Sequence, residues 1–472
     1  MKVLFVASEA VPFVKTGGLG DVAGALPAEL NKLDADTRVV LPLYGDIKEN
    51  YRSTMSYVGS ITVPVAWRKQ YCGVFEQNMG GVKYYFIDNE YYFKRSGLYG
   101  FYDDGERFAF FSRAVLEILP LIDFYPDVLH ANDWHTALIP VFLDAFYIHK
   151  EEYKNIKTLY TIHNIEFQGK YGRDLVGDVL GLPEDKESIV EYAGGVNYMK
   201  GAIEASNAVS TVSKSYAEEI LDPFYAYGLE SILRERKYKI SGVVNGIDVN
   251  LFNPKKDKAL FKNYDKKSVV DKAENKKGLC EMLNMTYSEN IPVIAMITRL
   301  TEQKGVDLVV RVIEDILSRD VQLVVLGTGD WRYETKLRDI ESRYSNKMKA
   351  LITFSADLAN KLYASSDMFL MPSKFEPCGL SQMIAMRYGS IPIVRETGGL
   401  RDTVVPFNGT TGTGFTFSTY NAYDMLGAID RAIAVYHDKE KWALCVDNAM
   451  KSDFSWKKSA KEYLKIYKEL TK

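Results

Sequence analysis

Two successive series of short apolar runs, each interrupted by longer helical segments, limit the fold more than any other pattern in the chain. Between the runs of the first half lie segments with helical spacing, such as Ala23–Lys32 and Phe108–Leu119. Apolar runs rich in β-branched residues that alternate with helices predict a parallel sheet covered on both faces. The predicted strands of this half are Val3–Ala7, Arg38–Leu43, Val82–Ile87, Asp127–His130, Thr158–Ile162 and Val209–Val212.

The same alternation begins again in the second half, where helical segments such as Gly305–Leu317 and Leu380–Tyr388 separate further strands. We therefore expect an α/β protein of two doubly wound, Rossmann-like domains, at 1–243 and 244–454, with a hinge near 240–256. Ligands of such sheets bind beyond the carboxyl ends of the strands, so two facing domains predict an interdomain binding cleft. The second set of strands comprises Pro292–Ile297, Gln322–Leu326, Ala350–Phe354, Asp367–Met371 and Ile391–Val394.

Charge balance and cysteine spacing exclude several classes of protein. The 472 residues include 59 Lys and Arg against 62 Asp and Glu, a formal net charge of −3, which excludes a cationic nucleic-acid binder. The four cysteines lie far apart without a C-x-x-C pair, so neither a disulfide framework nor a zinc knuckle is indicated. No apolar run approaches the roughly 20 residues that span a bilayer. We expect a soluble, cytoplasmic protein without nucleic-acid or membrane partners.

A glycine-rich segment, Lys15–Val22, lies between the first predicted strand and the first predicted helix. Glycines there let backbone N–H groups approach an anion at a helix N-terminus. Gly18–Ala23 also satisfies the dinucleotide pattern G-x-G-x-x-A. However, Ser8–Thr16 separates it from the strand, whereas a dinucleotide turn follows its strand at once. A βα loop in which Asp21 caps the helix and Lys15 is a solvated charge is an equal alternative.

Two neighbouring predicted strands end in polar residues. The segment His130–Thr136 follows one strand with two His, an Asp and a Trp, and His163 and Asn164 end the next strand. Because such groups are costly to bury and strand ends carry ligands, the pattern favours a binding pocket. A structural histidine is the alternative at any one position. Metal binding lacks support, because the spacing is not H-E-x-x-H and no Cys/His cluster completes a site.

Two strand-to-helix turns of the second half combine charges with glycines. Thr298–Gly305 brings Arg299 and Lys304 to one helix N-terminus, which suits a diphosphate; a solvated loop with two ordinary cations is the alternative. In Lys374–Ser381, a turn set by Pro and Gly exposes N–H groups that form an anion nest. Glu376 beside that nest either binds a sugar hydroxyl or caps the helix.

The chain resembles the bacterial glycogen synthase and starch synthase family in eight segments, which are KTGGLGDV, HANDWHT, TIHN, VVNGID, TRLTEQKG, VLGTGD, FEPCGLSQ and TGGLRDTV. The resemblance extends over about residues 1–405, and KTGGLGDV together with EPCGL is distinctive. It implies the GT-B architecture, in which the last helix, within 455–472, crosses back to the first domain. It also implies retaining transfer of glucose from ADP-glucose, a co-substrate, to the non-reducing 4-hydroxyl of an α-1,4-glucan, without a metal or other cofactor.

The family's functional positions carry over to matching residues of this chain. Arg299 and Lys304 would neutralise the leaving diphosphate. His163 would lie at the transferred glucose, and Glu376 would hold the glucose hydroxyls; these four are the predicted catalytic residues. The predicted donor-binding residues are Lys15, Gly18, Asp21, Asn245, Gly327, Phe354, Cys378, Gly379, Leu380 and Ser381, and the predicted acceptor-binding residues are Tyr99, Asp133, Trp134 and His135.

Two positions differ from the usual family pattern, and a third separates the chain from related families. Phe354, expected to stack on adenine, stands where Tyr is common, and Ser381 stands where Thr is common. Related GT-B families carry a second Glu eight positions after the first, where this chain has Ile384. That residue argues against a two-glutamate mechanism. Because no carboxylate is placed as a nucleophile, we expect a front-face displacement in which the leaving phosphate assists acceptor deprotonation.

Other functions stay open at this stage. A non-catalytic glucan-binding protein could keep the fold, a transferase could use UDP-glucose, and a nicotinamide dehydrogenase would bind NAD. The choice between glycogen and starch as product, the processivity and the formation of a homo-oligomer are equally open. A plastid-like compartment after processing is the less favoured location.

Overall fold

The computed structural model describes all 472 residues and divides them into two units. The first unit consists of Met1–Gly246 and Trp456–Lys472, and the second consists of Ile247–Ser455. Each unit has its own sheet. No helix in the chain combines the length and the apolar character that a membrane crossing requires.

The first unit contains twelve strands. In chain order they are β1 (Lys2–Val6), β2 (Asp36–Pro42), β3 (Ser56–Val65), β4 (Arg68–Met79), β5 (Val82–Asp88), β6 (Val128–Asn132), β7 (Lys157–Ile162), β8 (Lys170–Tyr171), β9 (Glu191–Tyr192), β10 (Gly195–Asn197), β11 (Ala208–Thr211) and β12 (Ile240–Gly242). Nine form one sheet in the order β12-β11-β7-β6-β1-β2-β5-β4-β3, and β8, β10 and β9 form a small second sheet.

The large sheet is parallel from β12 to β5, as the apolar runs predict, but its far edge is antiparallel. Neither β3 nor β4 was among the predicted strands, so this antiparallel edge was missed. Only Ala66 and Trp67 separate these strands, and a two-residue connection can join antiparallel strands but not parallel ones. Most residues of both strands are exposed or half-buried, as expected for a sheet edge with one solvated face.

Helices cover the first sheet. They are α1 (Gly18–Asn31), α2 (Glu49–Arg52), α3 (Glu90–Phe93), α4 (Asp104–Glu117), α5 (Leu138–Phe142), α6 (Tyr198–Ala205), α7 (Lys214–Glu219), α8 (Pro223–Ala226) and α9 (Glu230–Glu235). Shorter 3₁₀ and π segments, including Trp134–Thr136 directly after β6, complete the unit.

The second unit has six strands, all parallel. They are β13 (Val293–Ile297), β14 (Gln322–Leu326), β15 (Met348–Leu351), β16 (Met368–Met371), β17 (Ile391–Arg395) and β18 (Phe415–Phe417), in the order β15-β14-β13-β16-β17-β18. The strand order reverses between β13 and β16. In doubly wound sheets, ligands bind outside the carboxyl ends of the strands at such a switch point.

The helices of the second unit are α10 (Lys272–Met282), α11 (Val306–Arg311), α12 (Ile313–Ser318), α13 (Trp331–Arg343), α14 (Ala356–Ser365), α15 (Ser381–Arg387), α16 (Gly398–Thr403), α17 (Ala422–His437) and α18 (Lys439–Lys451). The helix predicted over Gly305–Leu317 is two helices, because Val312 departs from helical geometry with φ −119° and ψ 19°.

The last helix, α19 (Trp456–Leu470), belongs to the first unit and packs against α1. Ser459 Oγ donates a hydrogen bond to the carbonyl of Val244 at 2.6 Å. The hydroxyl of Tyr467 lies 2.7 Å from Nδ1 of the buried His130 at the centre of the first sheet. The chain therefore returns to the first unit after completing the second.

Candidate active site

Three adjacent strands of the first unit bring polar residues to one edge of the sheet. Strand β6 pairs with β1 on one side and with β7 on the other, and all three run in the same direction. Glu9 follows the carboxyl end of β1, Asp133 follows that of β6, and His163 follows that of β7. The order of strands also reverses here, because β1 has β2 and β6 as neighbours. This edge is therefore where a doubly wound sheet binds its ligand.

The glycine-rich loop before α1 is organised by Glu9, whose side chain is buried. Its carboxylate accepts hydrogen bonds from the Thr16 hydroxyl at 2.7 Å and from the Gly20 amide at 3.1 Å, with further bonds from the amides of Thr16 and Gly17. A carboxylate bonded to amides at the start of a helix also interacts favourably with the helix dipole. Reasoning from sequence missed Glu9, although an acidic residue between a buried strand and a glycine-rich loop was a usable signal.

The three predicted donor-binding residues of this loop lie on its accessible side. The ammonium of Lys15 is 2.6 Å from the Asp21 carboxylate, and both side chains are partly exposed. Gly18 is exposed and is the first residue of α1. A Cβ atom added at Gly18 would have no neighbour within 4 Å, so space for a ligand exists next to its backbone. Asp21 lies in the first turn of α1, as the helix-cap alternative also requires, but no side-chain cap is formed.

Asp133 connects the ends of β6 and β7. Its Oδ1 accepts hydrogen bonds from the backbone amide of His163 at 2.7 Å and of Asn164 at 3.4 Å. Asp133 has φ +58°, a left-handed conformation that is uncommon for a residue with a Cβ atom. Burial raises the pKa of Asp133 to about 7, although the two amide hydrogen bonds act in the opposite direction. This carboxyl group therefore changes its charge near neutral pH.

His163 is held as a neutral side chain. Its Nε2 lies 2.9 Å from Oδ1 of the buried Asn132, an acceptor, so Nε2 carries the hydrogen and donates it. Burial lowers the pKa of His163 to about 3, so the ring is uncharged at neutral pH. Asn132 in turn donates to the carbonyl of Val6 at 3.0 Å, which ties the histidine to the end of β1. Asn132 was not among the predicted site residues.

The other predicted acceptor-binding residues form an aromatic cluster with Phe108 of α4. The ring of His135 lies between Tyr99 and Trp134, with centroid distances of 4.3 and 4.2 Å. Trp134 and His135 are largely buried, whereas Tyr99 is only partly so, and its hydroxyl is 2.8 Å from the Ser8 hydroxyl. Tyr99 is therefore the more accessible of the three rings.

Asn245 lies after β12, at the carboxyl edge of the same sheet. It is buried, and its Oδ1 has no hydrogen-bond partner. Buried polar atoms are nearly always hydrogen-bonded in folded proteins. The unsatisfied oxygen of Asn245 marks a position where an additional donor would be stabilising, and the sequence had assigned Asn245 to the donor site.

In the second unit, charged residues meet at the switch point between β13 and β16. Lys304 follows β13 and Glu376 follows β16; the ammonium and the carboxylate are 2.6 Å apart. The Ser373 hydroxyl donates to the same carboxylate oxygen at 3.1 Å. Arg299 also follows β13, but it is exposed and its guanidinium has no salt-bridge partner. Two cations, one of them unpaired, thus stand at one strand end.

The loop that begins α15 is tightly folded. Gly379 has φ +72°, which favours glycine, and the side-chain amide of Gln382 donates to the carbonyls of Cys378 at 3.1 Å and Gly379 at 2.9 Å. Leu380 precedes the helix and Ser381 is its first residue; both are half-buried. Gln382 was not predicted, yet its two hydrogen bonds hold the predicted donor-binding loop in place.

The last two predicted donor-binding residues lie at neighbouring strand ends. Gly327 follows β14, and a Cβ atom there would be 1.8 Å from the carbonyl oxygen of Thr298, so only glycine fits. Phe354 follows β15 and is 92% exposed. An aromatic ring this accessible at the carboxyl edge of the sheet is available to stack on a planar ligand.

The two edges differ in chemistry. The edge of the second unit offers accessible positive charge, which suits a ligand with several negative charges. The edge of the first unit offers neutral or hydrogen-bonded polar groups, which suit a ligand rich in hydroxyl groups. No group of three or more His, Cys, Asp or Glu side chains is arranged to hold a metal ion. Among the four predicted catalytic residues, Lys304 and Glu376 are in direct contact, Arg299 shares the strand end of Lys304, and His163 belongs to the first unit.

Known protein families and individual relatives match this chain over nearly its full length. The family model of the starch synthase catalytic domain matches residues 2–235, and that of the group 1 glycosyl transferases matches residues 286–451. The chain is 51% identical to a glycogen synthase of Anoxybacillus flavithermus, covering 100% of this chain and 98% of the relative. It is 52% identical to a glycogen synthase of Clostridium acetobutylicum, covering 99% of each.

Two solved structures also match nearly the full chain. The catalytic domain of starch synthase IV from Arabidopsis thaliana, bound to ADP and acarbose, has a TM-score of 0.90 and 33% identity, covering 100% of this chain and 99% of that one. A sucrose-phosphate synthase from Thermosynechococcus elongatus has a TM-score of 0.62 at 15% identity, covering 99% and 98%, and shares the fold alone.

Proposed function

The chain belongs to the glycogen synthase and starch synthase family of GT-B glycosyltransferases, and from that premise we propose that it transfers glucose from ADP-glucose to the non-reducing 4-hydroxyl of an α-1,4-glucan. We further propose that the anomeric configuration is retained. The donor assignment draws on the ADP bound to the starch synthase of similar fold. The acceptor assignment draws on the glycogen synthase relatives, which match the chain from end to end.

One observation carries the donor side of this proposal. At the switch point of the second sheet, Lys304 lies 2.6 Å from Glu376, and the exposed Arg299 stands at the same strand end. A diphosphate placed there would be held by two cations. Glu376 keeps the Lys304 ammonium in position before the donor binds, and its second oxygen is available for a glucose hydroxyl. The exposed ring of Phe354 supports an adenine contact at the same edge of the sheet.

In the proposed reaction, the bond between glucose C1 and the diphosphate oxygen breaks, and its electron pair leaves with ADP. A new bond forms between C1 and the 4-oxygen of the acceptor, and the proton of that hydroxyl passes to the leaving phosphate. Negative charge thus grows on the diphosphate while positive charge grows at C1. Cations fixed near the phosphate stabilise this transition state more than the ground state.

In the proposed retaining transfer, no carboxylate acts as the nucleophile. Glu376, the acidic residue at the donor edge, is engaged by Lys304 and Ser373 through one of its oxygens. The position eight residues later is Ile384, a buried apolar residue of α15. We therefore favour a front-face displacement, in which acceptor and leaving group share one face of the sugar.

The first unit supplies neutral polar groups in this proposal. The uncharged His163 donates its one N–H to Asn132, so its other ring nitrogen, Nδ1, can accept a hydrogen bond without competing for the diphosphate. Asp133, whose pKa is about 7, and Tyr99 line the acceptor side. Because Arg299 and Lys304 neutralise the leaving group, we propose that the enzyme needs no metal ion.

The test is a direct assay of the purified protein with glycogen as primer. We expect ADP release from ADP-glucose, with incorporation of glucose into α-1,4-linked product. The α-anomeric signal of the new linkage, read by NMR, tests retention. UDP-glucose in a parallel assay tests the donor base, because a higher kcat/KM with UDP-glucose would replace the ADP-glucose assignment. Glycogen binding without turnover of either donor would leave a glucan-binding protein and refute the proposed activity.

A further inference from the structure

A cavity of about 280 Å³ lies in the second unit, at the opposite edge of the sheet from Lys304 and Glu376. Its walls come from the 3₁₀ segment Lys266–Asp271, α10, α17, α18 and the segment before β13. Asp367, the residue before β16, closes one side. The predicted donor residues follow the carboxyl ends of the same parallel strands. A strand rises about 3.3 Å per residue, so the five residues of β13 separate the two edges by roughly 15 Å. A molecule in this cavity would not be a donor or acceptor of the transfer reaction.

Most charged groups that line the cavity are already paired. Lys276 lies 2.8 Å from Asp367, and its ammonium also donates to the Tyr436 hydroxyl at 3.0 Å. Lys266 lies 3.5 Å from Asp447. Because the two charges in each pair neutralise each other, these residues do not require a charged ligand.

Lys272 differs from its neighbours. Its ammonium donates to the carbonyl oxygens of Tyr363 at 3.0 Å and Ala364 at 2.7 Å, and no carboxylate lies within salt-bridge distance. An ammonium group has three N–H donors, so one remains after these two bonds. Lys272 is thus a partly buried cation on a cavity wall, without an anionic partner. Desolvation is the main cost of such a position, and a bound anion would offset it.

The remaining wall is aromatic and aliphatic. The rings of Tyr436 and Trp442 meet edge to face with their centroids 5.1 Å apart, and Tyr287 adds a third ring to the lining. Val269 and Val446 contribute aliphatic surface. Small-molecule sites combine a mostly apolar lining with a few polar groups that fix the orientation of the ligand. The volume is near the lower limit of such sites, which span roughly 300–1,000 Å³.

We propose that this cavity is a second ligand site, which binds a small aromatic acid by stacking its ring against Trp442 and Tyr436 and pairing its carboxylate with Lys272. The ligand class follows from the lining: three rings accept a flat apolar body, and one unpaired ammonium accepts one negative charge. The small volume excludes a nucleotide sugar. This site is independent of the glucosyl transfer proposed above.

The charge on Lys272 makes the binding pH-dependent. Burial lowers the pKa of Lys272 to about 7; Lys276 acts in the same direction, and Asp367 acts against them. The ring of Tyr264 also faces the Lys272 ammonium, with its centroid 6.0 Å away, and Tyr287, Glu289, Asp447 and Lys266 line the cavity. The carboxylate requires the ammonium form, so the affinity should fall as the pH rises above 7. Between about pH 6 and pH 8.5 the protonated fraction of a group with that pKa falls by more than tenfold, and the affinity should follow.

Benzoate is the probe for the test, with neutral benzyl alcohol and inorganic phosphate as comparison compounds. Calorimetry and saturation-transfer NMR on the full chain should detect saturable benzoate binding at about pH 6, at least tenfold weaker at pH 8.5, with weaker binding of both comparison compounds. Lys272→Met should weaken benzoate binding at least tenfold. Lys277→Met, the matched change at an exposed lysine on the same helix, should leave it unchanged.

Ala443→Phe provides a second test that keeps Lys272 intact. A larger side chain on this wall fills the cavity and should abolish benzoate binding while the protein still unfolds cooperatively. Failure of benzoate to bind at pH 6 would refute the proposal. So would equal affinity for benzyl alcohol, or unchanged affinity in either the Lys272→Met or the Ala443→Phe protein. None of these readouts involves ADP-glucose or glucan, so failure here is distinct from failure of the proposed transferase activity.

Discussion

The two units place polar residues at the same structural position, the carboxyl edge of a parallel sheet, but treat their charges differently. In the first unit, Asp133 and His163 are buried enough for their pKa values to move to about 7 and about 3, both toward the neutral form. In the second unit, Arg299 is exposed without a salt-bridge partner, and Lys304 forms an ion pair with Glu376. The same fold therefore keeps Asp133 and His163 closer to their neutral forms at one edge and presents the cations Arg299 and Lys304 at the other.

The difference lies in how each loop is supported. The glycine-rich loop of the first unit is folded around its own carboxylate, Glu9, which already occupies the amides of Thr16, Gly17 and Gly20. The loop before α15 is instead held by a neutral side chain, Gln382, which bonds to carbonyl oxygens. The first loop is thus held together by an internal anion. The sheet edge of the second unit leaves positive charge accessible to a ligand. The substitutions below test this difference between the two units.

The largest effect is expected from removing a cation of the second unit. Lys304→Met should reduce kcat by about 10²–10³, the usual loss when one group that stabilises transition-state charge is removed. The change also leaves Glu376 without its partner, so the KM for ADP-glucose should rise. Steady-state kinetics with glycogen primer measures both. Lys441→Met is the matched control, because Lys441 forms a comparable 2.7 Å ion pair with Asp438 on the surface of the same unit. Equal losses in the two variants would contradict a special role for the ionic edge.

A smaller effect is expected from neutralising the internal anion of the first unit. Glu9→Gln replaces a carboxylate oxygen with an NH₂ group that faces backbone N–H donors, so some hydrogen bonds cannot form. Loss of buried hydrogen bonds of this kind costs about 1–3 kcal/mol in the free energy of unfolding. Urea denaturation measures that change. Glu29→Gln, on the outer part of α1, should stay near the wild-type value. An unchanged free energy of unfolding in the Glu9→Gln protein would show that the loop does not depend on the Glu9 carboxylate.

The neutral state of His163 predicts an acid-dependent loss of stability. Its pKa is about 3 in the folded chain and about 6.5 when unfolded, so below pH 6.5 the unfolded chain binds the extra proton. This histidine's contribution to stability is therefore complete above pH 6.5 and is lost as the pH falls, by up to about 1.4 kcal/mol per pH unit. Asp133 acts in the opposite direction between about pH 4 and 7, because its raised pKa makes the folded chain retain a proton that the unfolded chain releases.

The measurement compares unfolding free energies of the wild type and His163→Gln between about pH 6 and pH 4.5. Asp133 is present in both proteins, and its hydrogen bond comes from the backbone amide of residue 163, which the substitution keeps, so its contribution largely cancels in the difference. The variant should show the shallower pH dependence, by about 1 kcal/mol per unit. His149→Gln, at an exposed histidine, should keep the wild-type slope. Identical slopes in all three proteins would mean that His163 is not held neutral.

Removal of divalent metal ions is expected to have no effect on the activity. If Arg299 and Lys304 neutralise the diphosphate, an excess of EDTA should leave kcat within experimental error of the untreated enzyme. Added Mg²⁺ should not restore activity to Lys304→Met. Loss of activity on chelation, with recovery on adding a divalent ion, would contradict the metal-independent mechanism.

Much of the fold follows from local patterns in the chain. The alternation of apolar runs and helices predicts two parallel α/β sheets, and the eight family-like segments predict the GT-B class, which the comparisons confirm. The β3–β4 hairpin was missed because its two-residue turn, Ala66-Trp67, contains neither Gly nor Asn. The break at Val312 was also missed, because the apolar spacing continues across it. The roles assigned to the individual site residues stay predictions.

The sequence alone determined which residues stand at the ends of strands, because hydrophobic periodicity and glycine positions are local properties. It could not determine which strand ends are neighbours. Lys304 and Glu376, 72 positions apart, meet only because β13 and β16 pair across the switch point of the sheet. Asn132 likewise meets His163 because β6 pairs with β7. The charge states also required the tertiary structure. A pKa depends on burial and on partners distant in the chain, so the neutral His163 and the unpaired Lys272 become visible only once the chain has folded.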